Sequence, residues 1–195
     1  MMFIEPLIGK NLPYEARGHL EIICGSMFSG KTEELIRRIK RAVIAQQEVK
    51  IFKPAMDHRY HPIKIISHND NTVVSTPVQT AQEILKLSEH SDVIGIDEVQ
   101  FFDYQIVSVA EELAQSGKRV ILAGLDMDFE GKPFEPMPQL MAIAEFVTKL
   151  HAICMKCGSL AAYSFRLSDF KELVMLGEKE HYEARCRKCF YEDKK

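Results

Sequence analysis

Residues 25–32 read Gly-Ser-Met-Phe-Ser-Gly-Lys-Thr and satisfy the pattern G-x-x-x-x-G-K-[ST] at every specified position. The pattern constrains the fold as well as the ligand, because it works only where a strand runs into a helix. A mostly apolar run, Leu20 to Cys24, precedes it, and a helix-like stretch begins at Glu33. Gly25 and Gly30 let the backbone of Ser26, Met27, Phe28 and Ser29 curl until its N–H groups point inward at phosphate oxygens. Lys31 is placed to reach the β- and γ-phosphates of a nucleotide, and the Thr32 hydroxyl to ligate Mg²⁺. The helix that follows presents its positive end to the same anion.

Outward from this loop the chain alternates between strand and helix patterns. Glu33 to Gln46 is predicted helical, with Leu35, Ile36, Ile39, Val43 and Ile44 on one face and Arg37, Arg38, Lys40 and Arg41 on a solvated face. Val49 to Lys53 reads as a strand stopped by Pro54. Residues 63–67 and 72–75 read as a hairpin about Asn69-Asp70-Asn71. A helix from Ala81 to about Glu89 opens at Thr80, with Glu83 completing a capping box. Val93 to Asp97 and Arg119 to Gly124 are short apolar strands of the buried parallel kind, separated by a helix from Tyr104 to Ser116 that stops at Gly117. A short helix from Met137 to Glu145 and a last core strand from Phe146 to Ile153 follow. The expectation is an α/β fold, a P-loop domain whose mainly parallel sheet carries helices on both faces. Residues 19–150 form that domain, residues 1–18 read as a flexible leader without signal-peptide character, and residues 151–195, where paired cysteines appear, form a small second domain.

The net charge of −3 gives no basic excess that would point to nucleic acid, and no apolar run approaches the roughly 18 residues of a membrane span. The reading places the chain in the cytoplasm, with its cysteines reduced or metal-bound.

Val93-Ile94-Gly95-Ile96-Asp97-Glu98 is an apolar strand ending in two carboxylates. In phosphate-loop proteins an aspartate at this position holds Mg²⁺, which assigns Asp97 that role. Successive residues at a strand end point in different directions, so Glu98 is free to face the reacting centre as general base. Whether it activates a water or an alcohol is left to the acceptor pocket. Gln100, just beyond, is grouped with the ATP-binding residues.

Cys154-x-x-Cys157 and Cys186-x-x-Cys189 form two knuckles that together complete a tetrahedral zinc site. Four thiolates leave no open position, so the zinc is expected to be structural. Residues 158–185 must then carry a sizeable loop tied at both ends, and loops of that size in compact domains are usually functional. Cys24 reads as a small buried hydrophobe.

Together these segments, with Asp-Glu-Val-Gln-Phe-Phe at 97–102, Gly-Leu-Asp-Met-Asp-Phe at 124–129 and Lys132-Pro133-Phe134, resemble the zinc-containing, cytosolic (type II) thymidine kinase family over residues 18–192. The resemblance implies a RecA-like P-loop domain and ATP-dependent phosphorylation of the thymidine 5′-hydroxyl, with Glu98 as catalytic base. Met27 would lie near the thymine methyl group, and Phe101, Leu125, Phe129 and Phe134 would line the thymidine pocket. Asp57 and Arg59 match a loop close to the phosphates, and His58 between them is taken with them. Leu173, Val174, Met175, Leu176 and Gly177 match a lasso loop whose backbone holds the base, although Glu178 stands where some relatives carry a second glycine. Tyr182 would close over the nucleoside. The implied components are ATP, Mg²⁺, structural Zn²⁺ and thymidine, with acceptance of deoxyuridine left open, in a homotetramer without nucleic acid or membrane.

Two rivals share the loop. A helicase-type, DNA-dependent ATPase would use Asp97-Glu98-Val99-Gln100 as its acidic motif, but the chain is short for a motor's second core and lacks a basic stripe. A zinc-stabilised nucleotide sensor would bind ATP and be indifferent to Glu98.

Overall fold

The computed structural model describes residues 18–56, 64–66, 72–167 and 181–193. Residues 1–17 of the leader therefore lie outside the described residues. In chain order the elements are β1 (His19–Gly25), α1 (Lys31–Ile44), β2 (Val49–Pro54), β3 (Lys64–Ile66), β4 (Thr72–Val74), β5 (Thr76–Val78), α2 (Ala81–Leu87) and β6 (Val93–Ile96). A 3-10 turn, Val99–Phe101, follows, then α3 (Gln105–Gln115), β7 (Arg119–Gly124), α4 (Met137–Ile143) and β8 (Phe146–Leu150). The last elements are β9 (Ala152–Ile153), β10 (Leu160–Ala161), β11 (Tyr163–Arg166), β12 (Tyr182–Arg185) and α5 (Arg187–Glu192).

Six strands form one sheet in the order β5-β2-β6-β7-β1-β8, and every pairing in it is parallel. Successive side chains leave a strand on opposite faces, so β1 and β7 feed two cores. Leu20, Ile22, Val120 and Leu122 join Ile84, Ile106, Val109, Leu113 and Leu140 of α2, α3 and α4. Ile23, Ile121 and Ala123 join Leu35, Ile36, Ile39 and Ala42 of α1. The expected parallel sheet with helices on both faces is what the chain forms. At Gly95 an added Cβ would come within 3.0 Å of the Ile39 side chain, so glycine there lets α1 lie close on β6.

Helix α1 departs from its sequence reading in two ways. Val43 and Ile44 are 57% and 81% exposed, and Ala42 takes the core position instead. The helix ends at Ile44 because Gln46 adopts φ 60°, and the N–H groups of Gln46 and Gln47 close back on the carbonyls of Val43 and Ala42. Arg38, expected in solvent, is fully buried. It donates to Glu21 (2.7 Å), Glu34 (2.8 Å) and Thr148 (2.9 Å). Arg119 approaches the other side of Glu21 at 2.5 Å.

Burial alone would push the Glu21 carboxyl up. Hydrogen bonds from His19 and Arg119, with the charges of Arg119 and Arg38, outweigh it and hold the carboxyl at about 2, below its ordinary 4.5. A depressed folded-state value contributes stability above the unfolded value, and that contribution is lost as pH falls from about 4.5 towards 2. At about 1.4 kcal/mol per pH unit the contribution is roughly 3 kcal/mol. Urea midpoints measured across this window are expected to fall steeply, and Glu21→Gln to flatten the fall. Arg38→Ala, which strands a buried carboxylate, is expected to cost about 3–5 kcal/mol in the same assay.

Three further elements differ in detail. Thr80 makes no side-chain bond to the backbone of α2; its hydroxyl bonds the Glu83 carboxylate (3.1 Å), which also accepts the Gln79 N–H (3.4 Å). Strand β5 was not foreseen, because it is short and carries Pro77; it occupies the sheet edge, where a missing N–H costs no ladder bond. The strand expected from Phe146 to Ile153 breaks at His151. Its first part joins the large sheet, and its second pairs with β10 in a separate two-stranded ladder. The predicted hairpin is present as β3 and β4.

Candidate functional site

The loop from Gly25 to Thr32 joins β1, which lies between β7 and the edge strand β8, to α1. Gly25 (φ 143°) and Gly30 (φ 86°) take backbone conformations that other residues avoid, and a Cβ at Gly25 would fall 2.3 Å from the Leu150 carbonyl. Phe28 also lies in the left-handed region, at φ 65°. It packs against the cluster formed by Ala152, Cys154, Ala161, Ala184 and Cys189, packing that offsets the strained backbone. The Met27 N–H donates to the Ser164 hydroxyl at 3.0 Å, so the loop is tied to β11. Lys31 Nζ donates to the Ser26 carbonyl at 2.8 Å. The hydroxyls of Ser26 and Ser29 are buried without a hydrogen-bond partner among the described residues. Buried polar groups of this kind call for a ligand, and the curled, N–H-rich loop around them suits a phosphate.

Strand β6 delivers the acidic pair beside this loop. Asp97 is buried; its Oδ2 accepts from the Thr32 hydroxyl at 3.3 Å, and its Oδ1 accepts the Glu98 N–H at 3.0 Å. The Thr32–Asp97 pair, 65 residues apart in sequence, is the arrangement expected of two Mg²⁺ ligands. Glu98 sits at φ 50°, ψ 41°, where the strand turns into the 3-10 turn. Gln100 donates to Glu98 Oε2 at 2.5 Å and accepts the Leu125 N–H at 3.0 Å.

The aromatic residues singled out by the family resemblance fall into two groups. Phe101 and Phe134 meet edge to face, with ring centroids 6.2 Å apart. Phe129 lies under the Arg166 guanidinium, 3.6 Å from the ring centroid, and Arg166 donates to the Tyr182 hydroxyl at 3.1 and 2.5 Å. Phe129 and Phe134 share one tight loop. There Asp128 Oδ1 accepts the N–H groups of Glu130 (2.8 Å) and Lys132 (2.9 Å), and the Phe134 N–H donates to the Asp126 carbonyl. Asp126 in turn pairs with Lys149 at 2.6 Å. Leu125 is half-buried at the head of this loop.

Sequence reasoning missed Arg166 and Ser164. Both sit on β11, which pairs with β12 so that Arg166 faces Tyr182 in register. The alternating Tyr163-Ser164-Phe165-Arg166 was the available signal. Asp57, His58 and Arg59, and the lasso residues Leu173, Val174, Met175, Leu176 and Gly177, lie outside the described residues.

The four cysteine sulfurs lie within 4.8 Å of one another. Turns hold each knuckle: the Gly158 N–H donates to the Cys154 carbonyl (2.9 Å) and the Phe190 N–H to that of Cys186 (2.9 Å). Hydrogen bonds from the Ser159 hydroxyl and N–H pull the Cys157 thiol down to about 6, whereas burial and then the crowding thiols push Cys189 up to about 12. The set could hold a metal ion, and four closed thiolates suit structural zinc. Cys24 stands apart. It is buried at the end of β1, and burial, reinforced by Asp126, pushes its thiol up to about 11, so it is inert packing as expected.

The chain matches known proteins along nearly its whole length. The family model described as "TK: Thymidine kinase" matches residues 18–190. A thymidine kinase of Rhodothermus sp. (strain ITI 518) is 56% identical over 189 residues, spanning 97% of this chain and 88% of that protein. One from Porphyromonas gingivalis (strain ATCC BAA-308 / W83) is 57% identical over 174 residues, 89% of this chain and 85% of its own. A solved structure of domain III of the Thermotoga maritima replication initiation protein DnaA aligns with TM-score 0.42 and 18% identity over 69% of this chain and 55% of that one, too loosely to support an argument. With a family model spanning the P-loop, the acidic pair and both cysteine knuckles, and relatives more than half identical, this chain belongs to the thymidine kinase family.

Proposed function

We propose that this enzyme transfers the γ-phosphoryl group of ATP to the 5′-hydroxyl of thymidine, giving thymidine monophosphate. The carrying observation is the 3.3 Å contact of Thr32 with Asp97, which sets the phosphate loop against the strand end that bears Glu98. Lys31, the loop N–H groups and the Ser26 and Ser29 hydroxyls bind the phosphates of the donor. Thr32 and Asp97 would hold Mg²⁺, which neutralises charge on the transferring group when bound. Glu98 takes the proton of the attacking hydroxyl as the new P–O bond forms, and the γ-phosphorus bond to the leaving diphosphate breaks. Family membership supports thymidine as the acceptor, and the loop carrying Leu125, Phe129 and Phe134, with Met27 and Tyr182, supplies apolar and aromatic walls for a pyrimidine.

On this proposal Asp57, His58 and Arg59 serve the donor phosphates, and the stretch from Leu173 to Gly177 holds the base through its backbone. Residues 19–150 form the ATP-binding domain and residues 151–195 the zinc and lasso domain. We also propose a homotetramer in the cytoplasm. Exposed Val43, Ile44 and Tyr104 supply apolar surface for subunit contact, and no helix among the described residues is long and apolar enough to cross a membrane. A panel of deoxynucleosides with Mg-ATP tests the acceptor. Thymidine is expected to be phosphorylated with the highest kcat/KM, and purine nucleosides not at all; a purine preferred over thymidine would overturn the reading.

A further inference from the structure

Glu98 occupies a left-handed bend at the end of β6. A buried neighbour, Gln100, is among the groups that hold its carboxylate. Gln100 is 3% exposed, and both ends of its amide are engaged. Its Nε2 donates to Glu98 Oε2 at 2.5 Å, and its Oε1 accepts the Leu125 N–H at 3.0 Å. The amide's orientation follows from the partners: flipped, it would set oxygen against a carboxylate and N–H against N–H. The room for it is also built in, since a Cβ at Gly124 would fall 2.7 Å from Gln100 Oε1. A donor fixed to Oε2 limits the rotation of the carboxylate and so the directions open to Oε1. The acceptor end is anchored to backbone at the head of the loop bearing Phe129 and Phe134, the wall of the acceptor pocket.

We propose that Gln100 is a positioning residue, whose amide locks the Glu98 carboxylate and references it to the Leu125 backbone, so that base and acceptor wall are held as one unit. The proposal rests on the reading of Glu98 as the base. It departs from the ATP-binding role assigned to Gln100 by sequence: donor affinity should be indifferent to it. A carboxylate misaimed by about an ångström costs on the order of 100-fold in rate.

Steady-state kinetics of Gln100→Leu, Gln100→Glu, Glu98→Ala and the Glu98→Ala/Gln100→Leu double variant test the inference. Gln100→Leu is expected to lower kcat about 100-fold, with both KM values within about threefold of wild type, the signature of an interaction that acts on the reacting geometry. Gln100→Glu keeps the volume and an acceptor for the Leu125 N–H, yet replaces the donor with a second carboxylate against Glu98. It is expected to lose kcat comparably at neutral pH; a purely structural role would spare it. It also serves if Gln100→Leu does not fold. In the Glu98→Ala background, adding Gln100→Leu should change the residual rate by no more than about twofold, because the two act as one unit. Near-wild-type kcat in the Gln100 variants beside an inactive Glu98→Ala overturns this inference alone. An active Glu98→Ala protein overturns the assignment of the base itself.

Discussion

Glu98→Gln is expected to lower thymidine phosphorylation by about 10²–10⁴-fold, the usual worth of a positioned general base, while ATP affinity stays within about threefold. The substitution keeps the size of the side chain but removes its capacity to accept a proton. The ATP-side contacts do not pass through it: Lys31 bonds the Ser26 carbonyl, and Thr32 bonds Asp97. The neighbouring Gln100 N–H donates to Glu98 Oε2, and a glutamine at 98 can still present an oxygen to it, so the local fold should survive. Rapid-quench measurement of the chemical step, paired with calorimetric ATP titration, separates the two effects. Loss of ATP binding in proportion to rate would instead place Glu98 among the groups that hold the ATP-bound Mg²⁺.

Metal removal is expected to act at a distance, and on both substrates. Phe28 belongs to the phosphate loop but packs on the cluster that contains Cys154 and Cys189. Met27 of the same loop hangs by its N–H from Ser164, on the strand paired with β12. Four uncompensated thiols should spread apart once the metal is gone, since metal-binding energy at such sites is folding energy. Phe28 then loses the packing that supports its left-handed backbone, and the loop relaxes. Chelation, or Cys154→Ser, is predicted to weaken ATP and thymidine binding by about tenfold or more each, judged from the few kcal/mol at stake when a closed four-thiolate site opens. The six-stranded sheet should persist by circular dichroism, because its two cores contain none of the four cysteines. An apo protein that binds ATP with unaltered affinity would show that the Phe28 and Ser164 contacts are incidental.

Much of this was legible in the sequence for a physical reason: the informative features are local. A phosphate loop, two C-x-x-C turns and an apolar strand ending in Asp97-Glu98 each declare themselves within a few residues. The alternation of short apolar strands with amphipathic helices identified the parallel sheet. What stayed hidden depends on partners remote in the chain. Arg38 looked like one of four solvated cations, because nothing nearby shows that Glu21, on β1, waits beneath it. Ser164 gains its meaning only from Met27, 137 residues away, and Gln100 from the Leu125 backbone. Arg166 shows its role once β11 is set against β12. Strand β5 was masked by Pro77, a residue that argues against a strand everywhere except at an edge.

On the proposed function, the phosphate loop and Glu98 deliver a phosphoryl group to a nucleoside rather than to water. Parallel measurement of ATP consumed and thymidine monophosphate formed, with and without single-stranded DNA, addresses it most directly. One nucleotide product per ATP consumed, with negligible ATP turnover when thymidine is omitted and no effect of DNA, is the predicted result. Brisk ATP hydrolysis that DNA stimulates and thymidine leaves unchanged would contradict it.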